Sequence, residues 1–84
     1  NNSIFVVWSE APRYDYPPTY DIFLEASRDN GKSFDDAINL SAGQGSSINP
    51  KIAISEENKI VFVVWNEVTN GNSEVHFMKL DNFF

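Results

Sequence analysis

Apolar residues in this chain come in short unbroken runs, with little polar alternation. Ile4-Phe5-Val6-Val7-Trp8 and Ile60-Val61-Phe62-Val63-Val64-Trp65 are the longest. Both are rich in β-branched and aromatic residues, and neither belongs to a helical spacing of three and four, so each predicts a strand. A run with no polar alternation further predicts a strand covered on both faces. The same reading places strands at about residues 3–9, 20–27, 36–41, 50–55, 60–66 and 73–80. Turns are marked by Asn30-Gly31, Gly43 to Gly45, Glu56 to Asn58 and Asn70 to Asn72. The expected fold class is all-β and antiparallel, with almost no helix.

The chain also resembles itself. Ile4-Phe5-Val6-Val7-Trp8-Ser9-Glu10 recurs as Val61-Phe62-Val63-Val64-Trp65-Asn66-Glu67, an offset of 57 (61 − 4). Tyr20-Asp21-Ile22-Phe23-Leu24 is answered by Ser73-Glu74-Val75-His76-Phe77 at an offset of 53 (73 − 20). The four-residue difference falls in the loop between the matched strands. A period of this size is close to the roughly 40–50 residues of propeller-blade repeats. Four antiparallel strands with a central strand buried on both faces is what such a blade requires. A six-stranded sandwich uses the same strands, and the repeat favours the blade.

The stretch Ser27-Arg28-Asp29-Asn30-Gly31-Lys32-Ser33-Phe34 follows the second strand. Its Ser27, Asp29, Gly31, Ser33 and Phe34 resemble the pattern of the Asp-box, or bacterial neuraminidase repeat. With the flanking Val-Val-Trp and Asp-Ile-Phe strands, nearly the whole chain looks like part of a sialidase-like propeller of six or seven blades. The resemblance implies that residues 1–41 supply strands two to four of a first blade, including the box, and residues 50–80 supply strands one to three of a second. It also places the box on the face away from the family's active site. Local chemistry agrees with a structural turn: Asp29 can accept amides, Gly31 can take positive φ, and Phe34 can plug the turn from beneath. Calcium is the competing use of Asp29, Asn30 and Asp35, but it wants roughly six to eight oxygen ligands, so no metal is expected.

Function is then sought at the opposite face, in the loops Ser9 to Thr19, Ala42 to Asn49 and Asn66 to Asn72. The first carries Glu10, Arg13, Tyr14, Tyr16 and, at its end, Tyr20. Rings with neighbouring charges suit a glycan or protein ligand; Tyr rings packing on a neighbouring blade is the plainer reading. The resemblance implies that a sialidase would need three Arg for the substrate carboxylate, a Tyr nucleophile with a Glu, and an acid/base Asp. This chain has only Arg13 and Arg28, and Arg28 lies in the box. No catalytic residue and no cofactor is therefore expected, and the preferred reading is a non-catalytic scaffold or recognition module. The alternative is a piece of a sialidase-like glycoside hydrolase whose Arg residues lie outside this chain. Glu10 recurs as Glu67, which suggests a role in the repeat.

Remaining features narrow the picture. His76 occupies the repeat position of Phe23 and reads as a half-buried structural residue. Gly43-Gln44-Gly45-Ser46-Ser47 precedes a strand and reads as a flexible connection. Asn1-Asn2-Ser3 and Asn39-Leu40-Ser41 are glycosylation sequons. A net charge of −6 with no basic cluster argues against nucleic acid. No apolar run approaches the roughly 20 residues of a membrane helix, and there is no Cys to form a disulfide. Six strands amount to one and a half blades, fewer than the roughly four blades a closed ring needs. The expected partners are other blades of a parent chain or further copies, with a fragment favoured. The family resemblance implies an extracellular or cell-surface setting.

Overall fold

The computed structural model describes residues 3–12, 17–43 and 45–83. Six strands are present: β1 (Ile4–Glu10), β2 (Asp21–Ser27), β3 (Ile38–Asn39), β4 (Ser46–Ser55), β5 (Ile60–Thr69) and β6 (Asn72–Asp81). They form two antiparallel three-stranded sheets, ordered β1-β2-β3 and β4-β5-β6. There is no helix among the described residues.

The repeat read from sequence is a repeat of pairing register. In the first sheet Trp8 faces Phe23, Ile4 faces Ser27 and Glu10 faces Asp21. In the second, Trp65 faces His76, Val61 faces Leu80 and Glu67 faces Glu74. Adding 57 to the β1 number and 53 to the β2 number converts each first pair into the second. The shorter offset is absorbed by the turn of β5 into β6, where Asn70 (φ 52°) and Gly71 (φ 82°) join the strands in two residues. Two consecutive positive φ values are what a tight hairpin turn needs to match strand twist.

Three strands differ from their predicted extents. The strand expected at 36–41 is only Ile38–Asn39. Its ladder stops because the Ile22 N–H is taken by Ser41 Oγ at 2.8 Å instead of a main-chain carbonyl. The strand expected at 50–55 begins at Ser46 and runs through Pro50, which lacks a ladder donor. The register shifts between Ile48 and Lys51 to accommodate it, with Asn49 at φ 56°. The fifth strand continues past residue 66 to Thr69. The first sheet therefore spans 4–39 and the second 46–81.

The sheets pack through Ile22 from one side and Val61, Val63 and Trp65 from the other, with Phe5, Val7, Ile52, Met78 and Leu80 around them. β4 is the strand of the second sheet nearest β1 and β2. The Ser47 N–H donates to the Tyr20 carbonyl at 2.7 Å, and the Tyr20 N–H to Ser46 Oγ at 3.1 Å. These two bonds fix the height of one sheet against the other.

Coverage of the apolar runs departs from expectation. Each run is covered on one face within this chain, because each sheet has the other on one side only. Val61, Val63 and Trp65 of β5 are buried at 0, 0 and 4 % exposure, yet their repeat equivalents Ile4 and Val6 are 39 and 42 % exposed. In β1 it is the alternate set, Phe5 and Val7, that meets the core. The two copies of the repeat thus use opposite faces to pack on each other.

Candidate functional site

The molecule has two chemically distinct ends. One gathers the Ser27–Phe34 turn, the Glu56–Lys59 turn and the end of β6. The other gathers the ends of β1 and β5, the start of β2 and β6, and the Ala42–Gly45 connection. Strand register places Ser27, Ile60 and Asp81 at the first end and Glu10, Asp21, Glu67 and Glu74 at the second.

At the first end a polar network closes the turn. Ser27 Oγ donates to Asp29 Oδ1 at 2.9 Å and accepts the Gly31 N–H at 2.9 Å. Asp29 accepts the Ser33 N–H on Oδ1 at 2.9 Å and the Ser33 hydroxyl on Oδ2 at 2.5 Å. Asn30 (φ 65°) and Gly31 (φ 89°) make the reversal, and the Asp35 N–H returns to the Ala26 carbonyl at 2.8 Å. Hydrogen bonds from the Ser33 hydroxyl, then the Ser33 amide, then the Ser27 hydroxyl lower the Asp29 pKa from 3.8 to about 2. Asp29 thus accepts the Ser33 amide and Gly31 takes positive φ, while Ser27 and the Ser33 hydroxyl complete the network. Phe34 does not plug it: its side chain is 43 % exposed, and the turn is closed by polar groups.

Arg28, inside the turn, reaches away from it. Its guanidinium pairs with Asp35, donates to the Phe83 carbonyl and lies 5.6 Å from the Phe83 ring centre. Phe83 in turn packs on Phe5 with ring centres 5.7 Å apart. Arg28 thus latches the Ser27–Phe34 turn of the first sheet to the segment that follows β6. It stands at the opposite end from Glu10 and Glu67.

At the second end, the two glutamates of the repeat do the same job. Trp8 Nε1 donates to Glu10 Oε1 at 2.8 Å, and Trp65 Nε1 donates to Glu67 Oε1 at 3.0 Å. In a strand, residues two apart share a face, so a Trp-x-Glu sequence sets carboxylate beside indole. Glu67 accepts a further bond from Ser47 Oγ at 2.6 Å, tying β5 to β4. The Trp rings then lie on their cross-strand partners, Trp8 on Phe23 at 5.8 Å and Trp65 on His76 at 6.1 Å. The recurrence of Trp-x-Glu in both runs carried this clamp in the sequence, although only its glutamates were singled out there.

Of the predicted binding face, Arg13, Tyr14 and Tyr16 lie outside the described residues. Glu10 is committed to Trp8, and Tyr20 is exposed with its main chain bonded to Ser46 and Ser47. Two of the three loops expected at this end do converge. A cleft of about 720 Å³ opens between Ser41, Ala42, Gly43 and Gly45 on one side and Trp65, Glu67, Glu74 and His76 on the other. His76 is half-buried, as expected, with Nε2 3.4 Å from Glu74 Oε1. No group of three metal-ligating side chains occurs among the described residues.

Two residues at this end are more constrained than their sequence patterns suggest. Gly45 is not part of a flexible connection: it is buried, and a Cβ there would lie against Thr69 Oγ1, 2.6 Å from Glu67 Oε2 and 2.7 Å from the Val68 carbonyl. Asn39, a sequon acceptor, has its amide engaged. Nδ2 donates to Asp21 Oδ2 at 3.0 Å and Oδ1 accepts the Ser41 N–H at 3.1 Å. A glycan on Nδ2 would leave that nitrogen one N–H and would have to be accommodated beside the fully buried Asp21.

No helix among the described residues is long and apolar enough to cross a membrane. The chain matches no protein-family model, no curated protein and no solved structure.

Proposed function

We propose that this chain is a segment of a stacked β-repeat scaffold of the Asp-box, sialidase-like propeller type, non-catalytic, with the end away from the box turn serving as a recognition surface. One observation carries the reading. Two copies of one pairing register pack so that the Val61-Val63-Trp65 face of the second meets the opposite face of the first. Units stacked in one sense, each with a different face forward and back, are the arrangement that propagates into propellers. The Ser27–Ser33 network and the paired Trp-x-Glu clamps support it as devices that fix each unit's two ends.

Recognition is assigned to the second end because its loops converge there. A glycan or protein segment is the ligand class, given the exposed Tyr20 and the cleft between Gly43 and Glu74. The non-catalytic reading is supported by the placement of Arg28 at the box end and by Glu10 and Glu67 holding indoles. An extracellular or cell-surface setting belongs to the same proposal.

The test pairs glycan and peptide arrays with a hydrolysis assay on aryl glycosides. The expected result is binding without turnover, weakened by Tyr20→Ala and unchanged by Phe34→Ala at the other end. Turnover, absence of binding, or binding lost with Phe34→Ala alone overturns the assignment.

A further inference from the structure

Comparing the two copies position by position shows what the molecule leaves uncovered. Ile22, Leu24 and Ala26 of β2 are 0, 0 and 2 % exposed; their equivalents at the 53-residue offset are Val75, Phe77 and Lys79 of β6, and Val75 and Phe77 are 72 and 62 % exposed. On the other face the order reverses. Val61, Val63 and Trp65 are buried, while Ile4 and Val6 are about two-fifths exposed. Each face of the repeat is therefore more fully covered in one copy than in the other, although Asp21 and Ser27, on the Val6 face, are buried. The internal contact displays which face covers which.

We infer that the two less covered faces fit each other, and that this chain binds a second copy of itself head to tail, the Phe77 face of one molecule seated on the Val6 face of the next. This rests on the stacked-repeat reading above. Residues directly opposite in a sheet share a face, so Lys51, Val64 and Phe77 form one row and Ala53, Phe62 and Lys79 the next. Phe62 and Phe77 stack at 5.8 Å, making an apolar centre. The opposing face has Ile4, Val6 and the Trp8–Phe23 pair at its centre.

Charge adds direction. The Phe77 face carries Lys51 and Lys79 beside its apolar rows, whereas β1 and β2 contain no basic residue and bring Glu10 and Glu25 to the Val6 face. Two Phe77 faces meeting would oppose lysines to lysines. Lys79, at the position of Ala26, lies 3.6 Å from Asp81 of its own strand, and its presence means the second contact is not a copy of the first. A contact between unlike faces leaves one of each free at the ends, so association proceeds to rings or open stacks and does not stop at a symmetric dimer.

The experiment is sedimentation equilibrium on the chain and on Val6→Asp and Phe77→Asp, whose side chains are exposed in the single molecule. Folding of each is checked by circular dichroism. The wild-type chain should form species larger than a dimer as concentration rises, and each variant alone should associate at least about tenfold more weakly. An equimolar mixture should recover a one-to-one dimer that grows no further, since the mixture offers one intact face of each kind. Dimerisation of Val6→Asp alone, failure of the mixture to recombine, or a wild-type chain monomeric to its solubility limit would each overturn the inference. Nuclear Overhauser contacts between the Ile22 methyl groups and β5 separate the two readings. A monomer that retains them refutes self-association only, whereas a wild-type chain that lacks them refutes the stacked-repeat scaffold as well.

Discussion

Trp65 donates its indole N–H to Glu67 Oε1 at 3.0 Å, and the same oxygen accepts the Ser47 hydroxyl at 2.6 Å. One carboxylate therefore terminates a buried ring and ties β5 to β4. Glu10 receives only the Trp8 indole among the bonds described, on an exposed surface. Replacing Glu67 with Ala should cost about 1–3 kcal/mol because it strands a buried indole donor and a buried hydroxyl. Glu10→Ala should cost less than about 1 kcal/mol, since water replaces the lost acceptor. Urea unfolding of both variants checks the ranking, and equal costs would contradict it.

The Ser27–Ser33 turn should contribute acid sensitivity. Asp29 has a folded pKa of about 2 against an ordinary 3.8, so its contribution to stability is fully present above about pH 4 to 5 and is lost as pH falls through about 2. Asp29→Asn should flatten the fall in urea midpoint between pH 5 and pH 2, on the order of the window the shift defines. An unchanged slope would mean the network does not form in solution.

Three glycines should separate conformational strain from lack of room. Gly71→Ala meets open space at φ 82°, and Gly31→Ala meets only Ile4 Cδ1 at 3.4 Å at φ 89°. Each should cost about 1–2 kcal/mol, the penalty of a left-handed L-residue. Gly45→Ala should cost more, about 2–3 kcal/mol or loss of the fold, because its Cβ collides with the Val68 carbonyl and Glu67. Thermal unfolding of the three decides the order.

Equivalent repeat positions should respond unequally. Leu24→Ala empties a fully buried site and should cost about 2–5 kcal/mol. Phe77→Ala, at the matching position of β6, should cost below about 1 kcal/mol in dilute solution, where it loses chiefly its stacking on Phe62. Comparable losses at low concentration would show that β6 is covered within the single molecule.

Asn39 gives a fifth measurement. Asn39→Ala removes the amide that donates to fully buried Asp21 and should cost about 1–3 kcal/mol. A variant as stable as the parent would show that this bond contributes nothing to the fold.

What the sequence by itself determined is whatever short-range chemistry specifies. The Ser27–Ser33 turn was legible because its bonds span at most four residues and its Asn30-Gly31 pair supplies the positive φ values. The all-β character and the identical register of the two hairpins were legible because the offsets of 57 and 53 align apolar runs that pair within one hairpin. Tertiary structure alone decided the rest. Nothing local distinguishes Ile4-Phe5-Val6-Val7-Trp8 from Val61-Phe62-Val63-Val64-Trp65, and which alternate set is buried depends on the side from which the other sheet arrives. The short β3, the bulged entry of β4 through Pro50, the crowding at Gly45 and the exposed Phe34 ring have the same origin. Each is set by neighbours distant in sequence, through a carbonyl replaced by Ser41 Oγ, a register adjusted to a missing donor, or a packing partner present on one side of a sheet and absent from the other.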